Sequence, residues 1–224
     1  MPGTRSTQAI SHDITPAEAL RMLKEGNSRF VNNLKLNRNL LQQMNETKDG
    51  QWPFAVILSC MDSRTSVELI FDQGLGDVFS IRIAGNIISD YILGSLEYAT
   101  SAAGAILIVV LGHTNCGAVK GACDTVGKVS SDGNLDRLLG KIHPAVETET
   151  TFKVNRDSSN IPFVNEVARL NVENSVMEIL SKSEIIRKLV SEGKVDIVPA
   201  MYNVGTGEVD FSKVYSAQHD IATV

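Results

Sequence analysis

Ala105-Ile106-Leu107-Ile108-Val109-Val110-Leu111 runs without a polar residue into Gly112-His113-Thr114-Asn115-Cys116. Seven apolar, largely β-branched residues with no alternation are what a strand covered on both faces requires, and the run is too short for a buried helix. It closes on a turn that carries an imidazole and a thiol three residues apart. Upstream, Phe54 to Ser59 is a second run of this kind and closes on Cys60-Met61-Asp62-Ser63-Arg64; Val78 to Ile83 is a third. Thr65 to Gln73 and Ser89 to Ser101, lying between them, read as helices. Strand and helix in turn give an α/β fold with a mainly parallel sheet and right-handed crossovers. The reactive side chains then fall at the carboxyl ends of strands, where open α/β sheets place their sites.

The chemistry of those side chains points to a metal. His113 and Cys116 are close enough in sequence for one cation to hold both, and Cys60 supplies a third ligand from the end of another strand. Two thiolates and a neutral imidazole suit zinc. Three protein ligands on a tetrahedral ion leave one position open, as in a catalytic site, and a water there becomes acidic. Two thiolates already cancel the charge of the dication, however, so this site requires compensation nearby. Asp62 can orient a water on the metal or move onto the metal itself. Arg64 can lock that carboxylate through a bidentate fork and keep it ionised.

These motifs resemble those of the β-class carbonic anhydrases over nearly the whole chain. The likeness runs from Gly26-Asn27-Ser28-Arg29-Phe30 through Cys60-Met61-Asp62-Ser63-Arg64, Gly76-Asp77-Val78-Phe79-Ser80-Ile81-Arg82, Ala84-Gly85-Asn86, Ser95-Leu96-Glu97-Tyr98-Ala99 and Gly112-His113-Thr114-Asn115-Cys116-Gly117-Ala118. It ends with Asn171-Val172 and Tyr202-Asn203-Val204-Gly205-Thr206-Gly207. The resemblance implies zinc held by Cys60, His113 and Cys116, an Asp62–Arg64 dyad, and reversible hydration of carbon dioxide to bicarbonate and a proton. It also implies that Asp62 can take the fourth zinc position in a closed state, and that the chain forms a homodimer or homotetramer whose N-terminal helix packs on a dimer partner. One subgroup carries a Trp before the first cysteine as part of a bicarbonate site; here Ala55-Val56-Ile57-Leu58 stands in that place and the only Trp is Trp52. The other subgroup places a substrate-binding Gln where Gln51 falls, so the open-site type is expected. The Gly117 amide is a further candidate to face substrate. Ile57, Val78, Phe79, Ile87 and Tyr91 are expected to line a narrow slot, some of them supplied by a neighbouring subunit.

Two other functions fit the same ligands. Hydrolysis of carbon disulfide or carbonyl sulfide uses an identical metal set, whereas a non-catalytic zinc domain requires four saturated protein ligands and leaves Asp62 and Arg64 without a purpose. A zinc deaminase is excluded, because its His-x-Glu and Pro-Cys-x-x-Cys elements are missing.

Composition sets the outer limits. A chain of 224 residues, 43% hydrophobic, is read as a tail over residues 1–14 and a single domain over residues 15–224. A net charge of -5 and a pI near 5.4 argue against nucleic acid, which is bound by clustered Lys and Arg. The longest apolar stretch, Ala102 to Leu111, is short of the ~20 residues that cross a bilayer, so no membrane partner is expected. With Cys60 and Cys116 committed to metal, Cys123 has no disulfide partner and reads as a core thiol. No apolar leader is visible near the start. The cytoplasm is therefore expected, or export if a presequence has been removed.

The remaining elements follow from local signals. Thr15-Pro16-Ala17-Glu18 has capping-box spacing and opens an amphipathic helix over residues 16–32 with nothing local to cover. Val126 to Ser159 reads as a helix with a long loop. Val164 to Val190 reads as helical, with Leu170, Val176, Met177, Leu180, Ile185 and Leu189 facing inward. Val195 to Val204 returns as a strand, and Gly205-Thr206-Gly207 turns it into a hairpin through Val214. His12, His143 and His219 read as surface residues, Arg82 as pairing with a carboxylate or capping backbone carbonyls, Gly85-Asn86 as a turn, and Tyr98 as a core side chain.

Overall fold

The computed structural model describes residues 14–128 and 133–217. His12, His219 and most of the expected N-terminal tail lie outside the described residues. The elements are helix α1 (Pro16–Val31), helix α2 (Leu40–Thr47), strand β1 (Ala55–Ser59), the single turn α3 (Val67–Ile70) and strand β2 (Val78–Arg82). Helix α4 (Asp90–Glu97) continues into a π-helical turn over Tyr98–Ala102 and is followed by strand β3 (Leu107–His113) and helix α5 (Gly117–Thr125). Helices α6 (Asn134–Gly140), α7 (His143–Thr148), α8 (Ile161–Lys182) and α9 (Glu184–Ser191) precede strands β4 (Asp196–Tyr202) and β5 (Val209–Phe211).

Among the described residues the strands form one sheet in the order β2-β1-β3-β4-β5. The first four are mutually parallel, and β5 returns antiparallel to β4. The chain is thus an α/β domain with a mostly parallel sheet between helical layers. Every residue of β1 and β3 is buried, as their unbroken apolar sequences require. Because successive side chains point to opposite faces, Val56, Leu58, Ile108 and Val110 pack against Val172, Val176 and Ile179 of α8. Ala55, Ile57, Leu107 and Val109 turn the other way, towards Ala19 and Leu23 of α1 and Ile70 of α3.

Helix α1 begins at the expected capping box: the Thr15 amide donates to Glu18 Oε2 at 2.8 Å and the Glu18 amide donates to Thr15 Oγ1 at 3.3 Å. Contrary to the sequence reading, it has a local surface to cover. Ala19 and Leu23 are fully buried in the chain's own core, and Gly26 lies so close that a Cβ would collide with the Phe71 carbonyl oxygen. Helix α2, by contrast, has no buried residue.

Other boundaries moved in instructive ways. The expected helix over Thr65 to Gln73 shrinks to α3, because Asp62, Thr65 and Ser66 are taken up by the loop leaving β1. The segment Val126 to Ser159 holds two short helices, α6 and α7, among its described residues. The Val164 to Val190 helix breaks at Ser183, whose hydroxyl caps α9 by accepting from the Ile186 amide. That break resets the helical phase beyond it: Ile186 and Val190 are fully buried, Ile185 is exposed and Leu189 is only half-buried, while within α8 Met177 is also half-buried. Tyr98 is also exposed, meeting Phe79 edge-on at 6.3 Å between ring centroids.

Candidate active site

Register places the candidate ligands. Ser59 of β1 pairs with Leu111 of β3, so Cys60 leaves its strand at the same end of the sheet as His113 and Cys116. The side chains of Cys60, His113 and Cys116, all buried, bring their ligand atoms within 4.8 Å of one another. Three contacts fasten the turn that carries two of them. The Thr114 amide donates to the Tyr202 carbonyl at 2.9 Å, the Val204 amide donates to Thr114 Oγ1 at 3.1 Å, and the Asn115 amide donates to Asn165 Oδ1 at 2.9 Å. Asn115 itself takes a left-handed φ of 57°, which Asn tolerates better than most residues.

The donor set fits a zinc ion. Two sulfurs bonded to one tetrahedral zinc at about 2.3 Å stand about 3.8 Å apart; Cys60 Sγ and Cys116 Sγ are separated by 3.9 Å. His113 Nδ1 lies 2.9 Å from the Thr114 carbonyl, which only accepts, so Nδ1 carries the proton and Nε2 the lone pair. Nε2 is buried without a hydrogen-bond partner, as a metal-directed nitrogen would be. Electrostatics agrees. In the absence of a cation, the hydrogen bond from Cys116 pulls the Cys60 thiol well below its ordinary range. Cys60 and burial in turn push Cys116 upward. Two thiolates this close need a positive charge between them to ionise together.

The surroundings relieve part of the excess charge that two thiolates bring. The Gly85 amide donates to Cys60 Sγ at 3.4 Å, from a turn with φ 67° at Gly85 and 43° at Asn86. Cys116 is the N-cap of α5, where the amides of Val119 and Ala118 favour its thiolate. Asn171 and Ser175 of α8 hold the Gly85 turn, donating to Gly85 O at 2.8 Å and Asn86 O at 3.2 Å.

Beside this cluster, Asp62 is engaged at both carboxylate oxygens by Arg64. Nε and the backbone amide reach Oδ1 at 2.9 and 3.0 Å, and Nη2 reaches Oδ2 at 2.8 Å. Those hydrogen bonds hold the Asp62 carboxyl far below the usual carboxylate range, against a smaller opposing effect of burial. A buried Cys–His–Cys triangle next to an arginine-locked aspartate is the constellation that the sequence motifs imply.

The family model for carbonic anhydrase matches residues 55–209, which span the sheet and the whole site. This chain belongs to the β-class carbonic anhydrase family. It is 36% identical to carbonic anhydrase 2 of Mycobacterium tuberculosis, an alignment covering 86% of this chain and 90% of that protein. It is 34% identical to the carbonic anhydrase of Mycolicibacterium smegmatis, over 87% of this chain and 92% of the relative. Among solved structures, the β-carbonic anhydrase of Coccomyxa, in complex with acetazolamide, has the same fold. Its TM-score is 0.69 at 23% identity, covering 94% of this chain and 92% of that one. One of two tetrameric β-carbonic anhydrases of the fungus Sordaria macrospora gives 0.63 at 23% identity, over 87% and 94% of the two chains.

In this β-class carbonic anhydrase the other candidates are dispersed. Gln51 is exposed and precedes β1, at the opposite end of that strand from Cys60. Gly117 is the exposed first residue of α5, and a Cβ there would meet nothing within 4 Å. The expected slot does not assemble as read. Ile87 packs with Cys60 and Cys116, but Ile57 is fully buried beneath α1, and Val78 packs on that same core. Phe79 and the 90% exposed Tyr91 instead line a depression of about 430 Å³ along β2 and α4. Alternation along β1 is the reason for Ile57: it points away from the face that Leu58 shares with α8.

Cys123 is the expected core thiol, buried among Val119, Leu139 and Phe163, and burial pushes it up to about 12. His143 is half-buried, 3.1 Å from Thr125 Oγ1. Sequence reasoning missed Thr65, Asn165 and Ser175, polar residues whose work is to hold site backbone. Only Thr65, three residues beyond Asp62, lay near enough to a motif to be noticed.

Proposed function

We propose that this chain catalyses the reversible hydration of carbon dioxide to bicarbonate and a proton, with zinc held by Cys60, His113 and Cys116. The observation that carries the reading is the unpartnered His113 Nε2 converging on two thiols 3.9 Å apart. Bound there, zinc would acidify a coordinated water towards neutrality and supply the nucleophile. Asp62, ionised and acceptor-only, would take a hydrogen bond from the attacking oxygen and turn a lone pair towards the substrate carbon. Arg64 keeps Asp62 charged and aimed. Because Arg64 engages both Asp62 oxygens, the arrangement supports an open site with Asp62 on the arginine, not on the metal. The Gly117 amide would donate to a substrate oxygen from the N-terminus of α5.

Gln51 stands too far along β1 to serve the site of its own chain, five strand residues covering about 16 Å. Its proposed contact with substrate is therefore made in a partner subunit, within a homodimer or homotetramer. The described cluster offers three ligands, one fewer than a closed structural zinc requires. Among the described residues no helix is long and apolar enough to cross a membrane, and a cytoplasmic location is proposed from the buried free thiols.

Stopped-flow hydration of carbon dioxide, with metal analysis on the same sample, tests the reading. Activity is expected to rise in proportion to zinc up to one ion per chain. Zinc-loaded protein that leaves carbon dioxide untouched, or that turns over carbonyl sulfide or carbon disulfide in its place, would overturn it.

A further inference from the structure

Arg82 ends β2 opposite Ser59 of β1, and its exposed side chain reaches past its own strand to the loop that follows β1. Nε donates to the Cys60 carbonyl at 3.3 Å and Nη2 to the Asp62 carbonyl at 2.6 Å. Those carbonyls belong to a metal-ligating residue and to the carboxylate beside it. Residues 60–65 belong to no helix or strand, and a turn hydrogen bond, from the Thr65 amide to the Asp62 carbonyl at 3.0 Å, gives this loop main-chain support that no periodic ladder extends. Thr65 Oγ1 lies 2.8 Å from both carbonyls, but a hydroxyl has one proton and serves one of them at a time. A planar guanidinium satisfies both together.

Asp62 is therefore held by two arginines in different ways. Arg64 fixes its carboxylate oxygens, and Arg82 fixes the peptide from which the side chain departs. We infer that Arg82 is a positioning residue for carbon dioxide hydration, setting through the main chain where Asp62 stands relative to Cys60 Sγ. The inference rests on the proposed role of Asp62. Arg82 is exposed, so its truncation leaves no cavity in the core, and the fold should survive it.

The test compares wild type, Arg82→Ala, Arg82→Lys, Asp62→Asn and the Asp62→Asn/Arg82→Ala double variant. Each is measured for kcat, KM and zinc content, and the metal-free proteins for amide hydrogen exchange over residues 60–66. Arg82→Ala should retain zinc and its KM, lose about tenfold to a hundredfold in kcat as a misplaced catalytic group does, and exchange faster over residues 60–66. Arg82→Lys should recover part of the loss, since an ammonium still donates to these carbonyls. In the Asp62→Asn background, removing Arg82 should cost about twofold or less, because the group it positions is already gone. Losses that multiply in the double variant would overturn the inference, as would wild-type kcat in Arg82→Ala. Zinc loss in Arg82→Ala would also overturn it, by making Arg82 a support of Cys60. If zinc-loaded wild type proves inactive, the proposed function fails and exchange alone decides the grip: an unchanged rate over residues 60–66 in Arg82→Ala would refute it.

Discussion

The His113 side chain illustrates how little freedom the site leaves at the scale of a residue. One ring nitrogen is spent on the Thr114 carbonyl, and the other is buried with only Cys60 and Cys116 to answer it. Thiolate donation has no substitute in a hydroxyl, whose proton is not lost near neutral pH. Cys60→Ser and Cys116→Ser should each lower zinc content and hydration activity together; full activity at a stoichiometric loss of metal would contradict the ligand assignment. Asp62 and Arg64 belong to a different class of effect, since neither is needed to hold the ion. Asp62→Asn and Arg64→Ala should keep zinc and lose on the order of tenfold to a thousandfold in turnover. Their double variant should be little worse than the poorer single one, because the arginine acts through the carboxylate; additive losses in free energy would show two independent roles. The convergence of Cys60, His113 and Cys116 and the pairing of Asp62 with Arg64 were legible in the sequence because each of these residues stands within three residues of another in a motif. Gln51 and the slot residues were less legible, since where each one faces depends on strand phase and on the end of the strand it flanks.

Among elements, the junction between α1 and α3 depends on one buried acid. Asp72 is 3% exposed and accepts from Arg29 Nε and Arg38 Nη1, each at 2.5 Å, and from the Leu36 amide at 3.2 Å. Burial alone would raise its carboxyl, but these hydrogen bonds outweigh it and hold the group below the ordinary carboxylate range. A depressed folded-state value contributes its stability above the unfolded value, about 4, and loses it as pH falls through the folded one. Asp72→Asn should therefore lower the unfolding free energy at pH 7 by about 2–3 kcal/mol, less than for a fully buried pair because Arg29 keeps some solvent. The gap to wild type should close in acid, below about pH 4. Urea denaturation across that range measures it, and a gap that stays constant would remove charge as the cause. Nothing in the sequence announced this cluster: Arg29 and Arg38 approach Asp72 only after α1 has folded back over the sheet. The strands, by contrast, could be read to within two or three residues, because the apolar runs of β1 and β3 are too short for a buried helix; β2, expected to be covered on both faces, instead has no buried residue and lies at the sheet's edge among the described residues.

At the scale of the molecule, the apolar surface that remains argues for a second copy. The sheet ends at β2 without a further strand among the described residues, and Tyr91 and Tyr98 stand exposed beside it. On the segment joining α1 to α2 and on α2 itself, Leu34, Leu36, Leu40, Leu41 and Met44 are each more than half exposed. Isolated apolar residues on a surface need no explanation, but a contiguous set on a helix with no buried side chain does. A dimer that covers α2 would account for those side chains, and it would also bring Gln51, just beyond that helix, to a site its own chain cannot offer. Burying one Leu stabilises by about 1.5–3 kcal/mol, and a homodimer carries each replaced Leu twice, so Leu40→Glu with Leu41→Glu should weaken association by about ten-thousandfold or more. Sedimentation at micromolar protein should then show monomers with zinc still bound, since the ligands all come from one chain. Activity should fall with the mass, as Gln51 leaves the neighbouring site. If the variant kept its assembled mass, α2 would not be the interface; if it became monomeric at full activity, Gln51 would have no part in a partner's site.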